Sequence, residues 1–251
     1  NKEGLAPVKP YLEEMEAAKS VDDLHAVQLK YAAIGFGVPY SYYFGADDKN
    51  VTRNIRSLGQ GGLTLGQKDW YLNSDSATVA IRNAYRKYLV TMFKLYGFND
   101  AQAQQKAAKV FRFETELALA SKSNTELRDP QANYNKMTLK EFETSYPNIP
   151  LAKMSQAMGV KLDYIQEMNV GQPAFFAAYN SLLPLQDADE LRAVMEWDLI
   201  NSSSSYLTDE IRQARFNFFG KTMSGRKVEY PLWKRATNEV ENAMGEALGK
   251  M

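Results

Sequence analysis

Between residues 76 and 121 the chain has to form two long helices, and the remainder has to pack around them. Ile81, Ala84, Tyr85, Tyr88, Leu89, Met92 and Tyr96 recur at the i, i+3, i+4, i+7 spacing. That spacing lines them along one face of a helix over 76–96. Gly97 closes the run, because glycine adopts the left-handed conformation of a helix exit without strain. Asn99 or Asp100 caps the next helix, whose stripe is Ala103, Ala107, Val110, Phe111, Leu117 and Ala118 and which runs to about Ser121. The tyrosines on the first stripe have apolar bodies and read as core rather than as a binding face.

Glu114 falls in the middle of the second stripe. A lone buried carboxylate must find a partner or take up a proton. Arg128, in the polar stretch 122–137 that leaves this helix, is the expected partner, since its planar fork can hold a carboxylate bidentately. Such a pair would be structural, pinning that loop. The competing reading is a stripe rotated far enough to leave Glu114 solvated.

The rest of the chain repeats the helical theme. Pro10–Lys19 reads as a short helix, and Ser20 with Asp23 starts a second that stops at Gly35. Leu24, Val27, Gln28 and Tyr31 share one face of it, with His25 alongside. Gly37–Ala46 and Val51–Leu58 are rich in residues suited to strands and are joined by the turn residues Asp47–Asn50, which predicts a hairpin. Thr138 and Glu141 form a capping box for a helix ending near Ser145. Further helices are expected over 151–158, 173–183, 187–202, 208–220 and from Pro231 onward, with a short strand within 162–170. The sum is a mainly α, multi-helical domain of about ten helices with a small β-hairpin and room for one further short strand pair.

Charge and composition exclude several functions. Thirty basic residues balance thirty acidic ones, so no net field draws in nucleic acid or anionic lipid. No apolar run approaches the ~18 residues of a transmembrane helix, and Asn1–Gly4 does not begin a signal peptide. One histidine and no cysteine cannot supply the three protein donors of a catalytic zinc, nor a serine triad with its G-x-S-x-G elbow. His25 reads as a surface or capping histidine. Gly220-Lys221-Thr222 lacks the Walker spacing and reads as a helix exit. The sequence therefore offers no catalytic, metal-binding or cofactor-binding residue.

A family resemblance enters at Gly61-Gly62-Leu63-Thr64-Leu65-Gly66-Gln67-Lys68-Asp69-Trp70-Tyr71. The string is similar to the Gly-Gly-Leu-Gly-Leu-Pro-x-Arg-Asp-Tyr-Tyr segment of the neprilysin-like, or M13, zinc endopeptidases, with Thr64, Gly66, Lys68 and Trp70 departing from it. Two more matches follow in order. Arg128-Asp129-Pro130 with Tyr134-Asn135-Lys136-Met137-Thr138 is one. Phe218-Phe219-Gly220 with Trp233-Lys234-Arg235 and Gly245-Glu246-Ala247-Leu248-Gly249 is the other. The matching glutamate and the Arg-Asp-Pro arginine both occur in the family pattern.

The resemblance implies that residues 1–251 are the helical lid-type domain of a secreted, periplasmic or lipid-anchored bacterial enzyme that hydrolyses oligopeptides. The zinc site, H-E-x-x-H with a downstream glutamate, would lie in a catalytic domain further along the same polypeptide. By this reading zinc belongs to the parent protein and not to this part, whose partners are the catalytic domain and oligopeptide substrates. The alternative is a stand-alone helical interaction module on an inherited peptidase-lid fold.

Overall fold

The computed structural model describes residues 3–35 and 38–249. Among the described residues, six helices begin at a side-chain cap. Helix α1 (Lys9–Ala17) carries Pro10 in its first turn, and α2 (Val21–Ala32) starts from a full capping box in which Ser20 and Asp23 bond each other's backbone. Leu24, Val27, Gln28 and Tyr31 are buried on α2, as the stripe requires. A single turn, α3 (Asp69–Leu72), precedes α4 (Ser76–Leu95), capped by Asp75, and α5 (Asp100–Ala120), capped by Asn99 with Gln102. Thr138 and Glu141 box the start of α6 (Leu139–Ser145). Then come α7 (Leu151–Ala157), α8 (Pro173–Leu182), α9 (Ala188–Ser203), α10 (Asp209–Arg215) and α11 (Leu232–Leu248). The segment after α10 does not stop at Gly220. It continues as a π-helix over Phe216–Met223.

Four strands form one small sheet: β1 (Tyr40–Asp47), β2 (Asn50–Gln60), β3 (Lys136–Thr138) and β4 (Glu167–Val170), in the order β1-β2-β4-β3. The expected hairpin is β1–β2, and the expected strand start at Gly37 lies outside the described residues. Strand β4 pairs parallel to β2, placing Arg56 opposite Met168 and Leu58 opposite Val170, while β3 pairs antiparallel to β4. The stretch 122–137 is therefore not all loop: it holds a 3₁₀ turn at Glu126–Arg128 and most of β3. Likewise 162–170 divides into a 3₁₀ turn (Leu162–Ile165) and β4.

Two apolar cores share α5 as their common wall. Ala103, Ala107, Val110, Phe111 and Ala118 face the first, built from α1, α2, α4, α9, α10 and the π-helical segment. Phe113 and Leu117 face the second, where the sheet meets α6, α7 and α8. A helix buried on two sides explains why Phe113 is core although it lies off the single stripe read from the sequence. Lys106 to Glu196, Lys109 to Asp187 and Arg112 to Glu190 tie α5 to α9 by ion pairs.

Candidate functional site

The glycine-rich loop 61–66 lies against the junction of the two cores. Gly62 has φ of +71°, and a Cβ there would sit 2.6 Å from the Pro39 side chain, so both the conformation and the close approach require glycine. That approach brings Thr64 over α5. Thr64 Oγ1 donates to Glu114 Oε1 at 2.6 Å, and the Tyr71 and Tyr85 hydroxyls donate to Oε2 at 2.8 and 2.7 Å. Behind them, the Trp197 indole N–H donates to Thr64 Oγ1 at 2.9 Å and the Leu65 amide to the Tyr71 hydroxyl at 3.1 Å. Indole and amide groups can only donate, so these two hydroxyls accept from them and turn their own protons onto the carboxylate.

Glu114 is 3% exposed. Burial disfavours its charged form and pushes its pKa up from 4.5 to about 7, while the hydroxyls of Thr64, Tyr85 and Tyr71 pull the other way. Burial first, then the neighbouring Glu114 charge, pushes the Tyr71 and Tyr85 hydroxyls well above the ordinary phenol range. Tyr71, Tyr85, Phe111 and Trp197 pack together in tilted and T-shaped pairs with ring centroids 6.0–6.3 Å apart.

The expected partner of Glu114 is corrected by this geometry. Arg128 sits exposed in the 3₁₀ turn Glu126–Arg128 and makes no ion pair with Glu114. The chain leaving α5 is drawn toward the sheet, because the Lys122 backbone exchanges hydrogen bonds with the Gln60 side chain at 2.7 and 2.9 Å. Arg128 is carried off with it. Burial of Glu114 agrees with the stripe, but its partners are hydroxyls from a loop 50 residues upstream and from α3 and α4. The one sequence signal for them is Thr64 itself, which stands at a departure from the family string and brings a hydroxyl there.

Beside this cluster is a cavity of about 210 Å³, lined by Leu63, Thr64, Phe113, Glu114, Val194 and Trp197 among others. Both Glu114 oxygens are already engaged, so the carboxylate clamps loop 61–71 to α4, α5 and α9 and is not free to act as a base. His25 is half-buried on α2. Among the described residues no three His, Cys, Asp or Glu side chains gather as a metal site. Nor is any helix among the described residues long and apolar enough to cross a membrane.

The family model for "Peptidase family M13", in its N-terminal form, matches residues 1–251. Endothelin-converting enzyme 1 of Cavia porcellus is 29% identical over 233 residues, covering 92% of this chain and 30% of the relative. Neprilysin of Mus musculus is 26% identical over 252 residues, covering 94% of this chain and 32% of the relative. The chain thus spans about a third of the length of these curated relatives. Among solved structures, zinc metalloprotease Zmp1 of Mycobacterium tuberculosis, in complex with an inhibitor, superposes with a TM-score of 0.92 at 27% identity over 99% of this chain and 38% of that one. PepO of Lactobacillus rhamnosis shares the fold, with a TM-score of 0.75 at 20% identity over 97% of this chain and 38% of that one.

Proposed function

Because this chain belongs to peptidase family M13, we propose that it is the helical, non-catalytic part of a zinc endopeptidase acting on oligopeptides. It forms the wall, or lid, of a cavity that admits short peptides and excludes folded proteins, and hydrolysis is performed by a domain of the same polypeptide outside residues 1–251. The observation that carries this reading is the family match over the whole chain, set beside its coverage of only 30% of the first relative. Two features of the chain support it. One histidine and no cysteine leave the zinc ligands to be supplied from elsewhere. Helix α11 has no buried residue, and Trp233, Val240, Met244 and Leu248 form an exposed apolar stripe along it. A stripe of that kind marks a surface that another part of the protein covers.

Purified residues 1–251 should bind no stoichiometric zinc and cleave no peptide. The same residues joined to a zinc-bearing M13 catalytic segment should cleave oligopeptides and spare folded proteins. One tightly held zinc per 251-residue chain, with peptide hydrolysis, would refute the division of labour. A joined enzyme that digests folded proteins as readily as peptides would refute the wall.

A further inference from the structure

Although the chain as a whole is neutral, residues 212–235 contain seven basic side chains and one acidic one. The fold gathers part of this excess in a cleft of about 460 Å³ between the π-helical segment and α11. Four arginines line it, Arg212, Arg215, Arg226 and Arg235, with two glutamates, Glu229 and Glu239. Arg212 is taken up by Asp209 at 2.9 Å and by Glu229, and Arg235 lies 3.9 Å from the other Glu229 oxygen. Glu239 accepts from the Tyr206 hydroxyl at 3.0 Å.

Arg215 and Arg226 are left without a carboxylate among the described residues. Arg215 donates to the Asn201 side chain at 3.3 Å and lies 4.6 Å over the Phe219 ring. Arg226 lies over Phe216 and Tyr230, at 5.8 and 5.1 Å. The Nε of Arg235 is buried with no hydrogen-bond partner. Gly220 lets the Phe216 ring lie against the π-helical turn, where any Cβ would collide with it. That ring in turn carries Arg226.

We propose that this cleft binds an acidic peptide segment: a carboxylate on the Arg215 and Arg226 guanidinium forks, with an apolar neighbour against the aromatic walls. Guanidinium forks match carboxylates bidentately, and aromatic walls strengthen the attraction by excluding water. A bare inorganic anion would use the charges but leave Phe216, Phe219, Tyr230 and the exposed Leu232 on the cleft rim unused. The site is independent of the peptidase reading, because it rests on this chain's own charges and binds without cleaving.

The test is calorimetric titration of the 251-residue chain with an amidated peptide alternating glutamate and leucine. Its glutamine counterpart, the glutamine peptide with a free C-terminus, and inorganic phosphate complete the series. The glutamate peptide should bind at least about tenfold tighter than the amidated glutamine peptide. Restored binding by the free-acid glutamine peptide assigns the site to chain ends, and no restoration assigns it to acidic side chains. Arg226→Ala should weaken binding at least about tenfold, Arg226→Lys less, and Lys227→Ala little. Arg226 makes only ring contacts, so its variants should melt with the parent; if Arg226→Ala does not, Arg226→Gln carries the comparison. Equal binding of the glutamate and amidated glutamine peptides overturns the proposal, as does unchanged affinity in folded Arg226→Ala. Binding of phosphate with no response to the glutamate peptide also overturns it.

Discussion

Substituting Glu114→Gln isolates the energetic consequence of burying a carboxylate among hydroxyls. Burial holds the Glu114 pKa at about 7 against an ordinary 4.5. Between those values the folded protein keeps a proton that the unfolded chain has released, so stability falls as pH rises from 4.5 to 7 and levels off above. At about 1.36 kcal/mol per pH unit, the full cost of ionising the buried group is about 3 kcal/mol, of which about 2.5 falls between pH 5 and pH 8. The amide keeps the shape, can still accept from Thr64, and has no proton to lose. Urea denaturation of both proteins at pH 5, 6, 7 and 8 gives the difference directly, because every other titrating group cancels between them. The parent should lose about 2.5 kcal/mol relative to the variant across that range. Parallel stability curves, or a parent that gains on the variant as pH rises, would show that Glu114 is not desolvated as the geometry requires.

Thr64→Val removes both the acceptor for the Trp197 indole and one donor to Glu114; it should destabilise by about 1–3 kcal/mol and move the Glu114 transition to higher pH, read by the same titration. Arg128→Ala should change stability by no more than about 0.5 kcal/mol, because Arg128 is exposed and apart from Glu114; a loss of several kcal/mol would restore the ion pair. Lys106→Ala strands Glu196, which is fully buried with a pKa already raised by desolvation, and should cost about 3–5 kcal/mol in thermal or chemical denaturation. Gly62→Ala should destabilise by more than about 1 kcal/mol, since the new side chain meets Pro39 at a positive φ; a neutral result would mean the loop shifts freely.

Helix positions, caps and most apolar faces follow from neighbours close in sequence, and these the sequence determines by itself. The boxes at Ser20, Asn99 and Thr138 form between residues three apart, and the α4 and α5 stripes repeat within one turn. The family string at 61–71 is equally local. What depends on distant residues was decided only by the tertiary structure. Strand β4 joins β2 across more than a hundred residues, a parallel pairing with no local signature, and three-residue β3 forms because β4 is beside it. Arg56 reads as an ordinary residue of a returning strand, yet the sheet buries it between Tyr42 and Phe44 with one bond to Ser155. Glu114 shows both sides of this division. Its burial is written in the periodicity of its own helix. Its partners are Thr64, Tyr71 and Tyr85, not Arg128, because the chain leaving α5 is drawn toward Gln60 while the loop over Gly62 comes down onto the carboxylate.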